Sequence, residues 1–124
     1  MIVDTTVLID LVNGKVEAGE FLVRQENLAI SRISIMELLF GARSKKELKG
    51  FLKQIDSLGC EVIEISEEVS RLAGELLEKY VLSHGMGVAD ALVAAAAVIK
   101  RDILVTHNIK HFRFIRELKV VKPY

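Results

Sequence analysis

The chain has 124 residues, 51% of them hydrophobic, and its 17 basic residues balance 17 acidic ones. That length and apolar content suit a single domain, residues 1–124, with a real core, and argue against disorder. The longest unbroken apolar run, Ala91 to Ile99, is too short to cross a bilayer. The opening MIVDTTVLIDLV lacks the basic start of a signal peptide, and lone Cys60 excludes an intrachain disulfide. A cytoplasmic location is therefore expected.

In chain order, MIVD reads as a short buried strand, and Thr5 to Val12 as a helix with Leu8, Ile9 and Val12 on one side. Asn13-Gly14 breaks it, and Val16 to Arg24 reads as a second helix. Leu28 to Ser31 is the second strand. Ser34 to Ala42 is predicted as a helix, with Ser34 as its cap and Ile35, Leu38, Leu39 and Ala42 as its stripe. Lys45 to Leu58 is amphipathic, with Leu48, Phe51, Leu52 and Ile55 inward, and Gly59 ends it.

CEVIEI is the third strand. Ser66 followed by Glu67 and Glu68 marks the start of a long helix running to about Ser83. His84 to Gly87 is read as a loop. A helix follows, to about Arg101; its wheel sets Asp90 beside Val93, Ala94 and Ala97, with Val88, Leu92, Ala95 and Ile99 forming a bulky face. Ile103 to Thr106 and Leu118 to Val121 are the last strands, with a turn or short helix at Asn108 to Phe112 between them.

Strands and helices alternate throughout, which predicts a parallel sheet of about five strands covered by helices on both faces. Ligands of such sheets bind beyond the C-terminal strand ends, where the strand order switches. Asp4 ends the first strand there, and Glu37 and Asp90 are read into the first turns of helices opening on the same side. Each acid alone has an ordinary explanation: a cap for Asp4, helix-dipole acids for Glu37 and Asp90. Together they make an oxygen-donor cluster whose mutual repulsion a cation would relieve. Such a site favours Mg²⁺ or Mn²⁺ over Zn²⁺ and suits phosphoryl chemistry.

Four segments, MIVDTTVLID, SIMELLFGAR, VADALVAAAA and ILVTHNIKHF, make the chain resemble a PIN domain, and more closely a VapC-type toxin ribonuclease. The resemblance implies a three-layer α/β/α fold and Mg²⁺- or Mn²⁺-dependent hydrolysis of RNA. It also implies a homodimer and a small antitoxin partner. It assigns metal binding and catalysis to Asp4, Glu37 and Asp90. Thr5 or Thr6 would orient the attacking water or a ligand carboxylate, and Thr106 matches the polar residue ending the family's fourth strand. Where many relatives carry a fourth acid, this chain has Asn108 and His111. That departure keeps open a non-catalytic RNA- or protein-binding module.

Residues 100–124 hold seven Lys or Arg against two acids. A basic end of this kind suits an anionic partner. Lys100, Arg101, Lys110, Arg113 and Arg116 are the candidate phosphate contacts. His84, His107 and His111 are expected in exposed loops. Lys45, Lys46, Lys49 and Lys53 form one side of their helix and offer a surface for an antitoxin tail or RNA.

Other strand-end aspartate folds fit less well. The turn after the first strand reads DTTVLI, without the glycines of a dinucleotide site or the D-x-D of a haloacid-dehalogenase-like phosphatase. The lysine a receiver domain needs at its last strand end is here Lys119, inside the strand.

Overall fold

The structure, a computed structural model, describes residues 1–124. Five short parallel strands form one sheet: β1 (Ile2–Val3), β2 (Ala29–Ser31), β3 (Glu61–Ile63), β4 (Leu104–Val105) and β5 (Val120–Val121). Their spatial order is β3-β2-β1-β4-β5. The register pairs Ile2 with Ala29 on one side and with Leu104 on the other.

Six helices cover the sheet: α1 (Thr5–Val12), α2 (Val16–Val23), α3 (Arg32–Phe40), α4 (Lys45–Ser57), α5 (Glu67–His84) and α6 (Val88–Lys100). Successive strand residues point to opposite faces, so each strand feeds two cores. Ile2, Ala29 and Leu104 join α5, α6 and Phe112 in one. Val3, Ile30 and Val105 join Val7, Leu22, Ile35 and Ile55 from α1 to α4 in the other. This is the expected three-layer α/β/α arrangement.

Local signals explain the helix ends. Ser44 accepts a hydrogen bond from the Glu47 amide at 3.1 Å while Glu47 accepts one from the Arg43 amide at 3.2 Å, a reciprocal start for α4. Ser66 caps α5 through the Val69 amide at 3.1 Å. Gly85, at φ 64°, stops α5 in the left-handed conformation that glycine adopts without a Cβ penalty.

Three local expectations are corrected. The third helix starts at Arg32, directly after β2, so Ser34 is a fully buried helical residue and Ser31 occupies the cap position. Glu37 accordingly lies in the second turn of its helix. Val88 does not join a bulky buried face: it is 65% exposed, because it opens α6 at the sheet's rim, while Ala91 and Val93 to Ala97 are buried almost all round. On α4 only Ile55 is buried, and Leu52 is 37% exposed, so the expected inward face of this helix is only partly covered.

Candidate active site

The chain leaves β1 toward β2 and β3 on one side and later returns to lay β4 on the other. The switch in strand order therefore falls between β1 and β4, where backbones diverge and leave a crevice. Asp4 ends β1 there and Thr106 ends β4.

Asp4 has the backbone position of an N-cap to α1, but its side chain makes no cap hydrogen bond. Instead the Thr106 hydroxyl donates to Asp4 Oδ2 at 2.6 Å, and the Thr6 hydroxyl donates to the same oxygen at 3.2 Å. The first is the shorter of the two. The two hydroxyls lie 3.4 Å apart. Each also accepts a backbone amide, Thr106 from Asn108 at 3.0 Å and Thr6 from His107 at 3.3 Å. Asp4 is only 5% exposed, and its Oδ2 accepts two hydroxyl donors.

Asp90 stands in the first turn of α6, half-buried. Burial pushes its carboxyl above the ordinary value; His111 acts against that, and the negative charge of Asp4 adds to it. Asp90 and Asp4 thus share one field. His111 Nδ1 lies 3.2 Å from Asp90 Oδ2. Glu37 is an exposed residue of α3, and its Oε1 accepts the Thr5 hydroxyl at 2.7 Å. Adjacent threonines therefore orient two different carboxylates, Thr6 that of Asp4 and Thr5 that of Glu37.

No three His, Cys, Asp or Glu side chains stand close enough together to hold a metal ion as arranged. The charge of Asp4 acts on Asp90, and Glu37 is tied to Thr5, the chain neighbour of Asp4. The donor chemistry fits a hard divalent cation: all are carboxylates, and the protein contacts of Asp4 and Asp90 fall on one oxygen of each.

The remaining candidates divide by position. Lys110 lines a cleft with Asp90, His111 and His84, and Arg113 is exposed on the turn that follows. Lys100 and Arg101 do not flank this edge. They end α6, about 15 Å along the helix axis from Asp90. There Lys100 pairs with Glu61 at 2.7 Å, and Arg101 borders Asp102, Glu117 and Lys119. Arg116 precedes Glu117, where the chain has already returned to that far end. The pattern of charge along the sequence did not reveal this, because a crossing segment carries its basic residues to both ends of the sheet. Asp102 binds the N-terminal amine at 2.8 Å, well away from Asp4.

The histidines differ in setting: His84 and His111 are exposed as expected, and His107 lies in a loop but is half-buried. His84 ends α5, and His111 lies in a 3-10 turn, Ile109–His111. His107 is only 23% exposed, with Nε2 at 3.2 Å from Asp10 Oδ2 but without hydrogen-bond alignment. His111 is the site neighbour that sequence reasoning passed over; its one signal was that it stands where relatives place an acid. Asp10 was likewise missed. It accepts the Tyr124 hydroxyl at 2.7 Å and pairs with Lys15 at 3.5 Å. Burial raises the Asp10 carboxyl, but Tyr124, Lys15 and His107 together outweigh it and hold the group below its ordinary value.

Comparison with known proteins follows this geometry. The PIN domain family model matches residues 1–117. Ribonuclease VapC10 of Mycobacterium tuberculosis is 34% identical, over 96% of this chain and 90% of its own. Ribonuclease VapC19 of the same organism is 29% identical over 99% and 98%. A toxin–antitoxin complex from Klebsiella pneumoniae contains a chain 31% identical, with a TM-score of 0.78 and coverage of 99% and 97%. VapBC2 from Rickettsia felis, bound to a DNA fragment from its promoter, superposes with a TM-score of 0.80 at 27% identity, covering 98% and 96%.

Proposed function

The chain belongs to the PIN-domain family, and from that premise we propose that it is a Mg²⁺- or Mn²⁺-dependent endoribonuclease, the toxin of a toxin–antitoxin pair. One observation carries the reading. Asp4 ends β1 at the switch point of the sheet, and its negative charge adds to the burial that pushes the carboxyl of Asp90, in the first turn of α6, above the ordinary value. A pair of crowded carboxylates is retained where a cation is to be bound.

Asp4 and Asp90 would hold the ion, with Glu37 as a third ligand directly or through water. A divalent ion there supplies a lowered pKa for water and neutralises charge on phosphoryl oxygens. The chain's own groups prepare the site. Thr106 and Thr6 hold the Asp4 carboxylate in place, and Thr5 fixes the Glu37 carboxylate. His111 offsets the charge of Asp90. Asn108 would offer an amide oxygen in place of a fourth acid, without adding charge. Lys110 and Arg113 are placed to meet RNA phosphates.

The likeness to toxin–antitoxin complexes supports a small antitoxin partner, and a homodimer in the cytoplasm belongs to the same proposal. No helix is long and apolar enough to cross a membrane. The exposed lysines of α4 remain a surface for the antitoxin tail or RNA.

The test is labelled RNA incubated with purified protein, with and without Mn²⁺, beside Asp4→Asn and Asp90→Asn. Cleavage that needs the metal and disappears in both variants is expected. RNA binding without metal-dependent cleavage by the unaltered protein would sink the enzyme and leave the non-catalytic module.

A further inference from the structure

The cleft beside Asp90 has a wall that the carboxylates do not use. It is lined by His84, Gly85, Met86, Asp90, Lys110 and His111 and encloses about 290 Å³. His84 lies flat on Phe114, with ring centroids 4.2 Å apart and planes inclined by 20°. Phe114 packs in turn on Tyr80 at 4.9 Å, and Tyr80 meets the edge of His84 at 5.6 Å. The Ser83 hydroxyl lies 2.8 Å from His84 Nδ1.

Burial falls along this stack: Tyr80 is buried, Phe114 half-buried and His84 exposed. The stack therefore runs outward from the core and ends in an imidazole whose tilt is fixed from below. A histidine in the last turn of a helix is favoured by the helix dipole. That accounts for the residue type but not for the ordered ring, since a dipole needs no parallel stack. Nor is His84 needed to stop α5, because Gly85 does so. Lys110 brings an ammonium to the same cleft, and Asp90 borders it.

A flat, pre-ordered ring beside a cation matches the two parts of a nucleotide, a base and a phosphate. We propose that this cleft is a nucleotide subsite of the ribonuclease, in which a base next to the scissile phosphate stacks on His84 while Lys110 meets its phosphate. The proposal rests on the ribonuclease reading above and deepens it. Every base has a π-face, so the subsite holds the strand in place without selecting its sequence. It calls for unpaired RNA, because a base already stacked in a duplex cannot lie on the imidazole.

The test uses a short single-stranded RNA of mixed sequence with 2-aminopurine at successive positions. Binding is followed in the Asp4→Asn background and Mn²⁺-dependent cleavage in the otherwise unaltered protein. Fluorescence should be quenched at one position, and His84→Ala should abolish that quench and raise KM about 5- to 100-fold with kcat little changed. His84→Phe, which keeps a flat ring, should restore both. Lys110→Ala should lower the slope of log affinity against log salt by about 0.7 and leave the quench in place. Normal cleavage with unchanged KM and quench in His84→Ala would overturn the subsite alone. Absence of both RNA binding and cleavage in every protein would overturn the ribonuclease reading, and the subsite with it.

Discussion

Replacing Thr106 by valine removes the hydroxyl that joins β4 to Asp4 while keeping the side chain's shape. Thr106 is fully buried, and its hydroxyl makes the 2.6 Å bond to Asp4 Oδ2 and accepts the Asn108 amide at 3.0 Å. A hydrogen bond to a charged group contributes about 1.5–3 kcal/mol, and an amide left without its acceptor costs about 1 kcal/mol more. The Thr6 hydroxyl, at 3.2 Å, remains as a weaker donor to Asp4. The expected loss is about 2–4 kcal/mol, which urea unfolding would read as a fall of roughly 1–2 M in midpoint. Thr106→Ser keeps the hydroxyl and should lose only about 1 kcal/mol, the contribution of one methyl group. In a double-mutant cycle with Asp4→Asn, the coupling should be about 1.5 kcal/mol or more. Mn²⁺ affinity should fall about 10- to 100-fold in Thr106→Val, as for other groups that orient a metal ligand. A Thr106→Val midpoint equal to that of Thr106→Ser, or a coupling near zero, would refute the assignment of Asp4's charge to this bond.

Added Mn²⁺ should raise the melting temperature, by about 2.7 kcal/mol of stability at a hundredfold excess over Kd, and Asp4→Asn and Asp90→Asn should lose the effect in differential scanning fluorimetry. Tyr124→Phe should cost about 1–2 kcal/mol above roughly pH 5, by loss of the hydrogen bond to Asp10. Because the folded Asp10 carboxyl sits below its unfolded value, its contribution is fully present above that unfolded value and is lost as pH falls through the folded one. The difference between the two proteins should therefore vanish in acid, and one that persists unchanged there would contradict it. Phe112→Ala, at a fully buried ring, should cost about 3–5 kcal/mol in chemical denaturation.

Much of this molecule was legible along the chain. Ser66 with its following glutamates, Gly59 and Gly85, and the short apolar runs at Ile2–Val3 and Leu104–Val105 act through neighbours a few residues away, so local chemistry sufficed to place them. The alternation of strand and helix likewise implied a parallel sheet. The start of α3 was misplaced by two residues because β2 runs straight into it, with no breaker between Ser31 and Arg32 to mark the join.

What only the tertiary structure decided was which groups meet across long separations. Thr106 reaches Asp4, Thr5 reaches Glu37, His111 reaches Asp90 and Tyr124 reaches Asp10. The strand order set by packing both faces of the sheet brings these pairs together, and periodicity along the chain carries no record of it. The same order sends Lys100 and Arg101 to the far end of a helix whose near end holds Asp90. Residue types alone determined that carboxylates, hydroxyls and a basic segment were available; the crossover of the chain at β1 set β4 beside β1 and so brought Thr106 to Asp4.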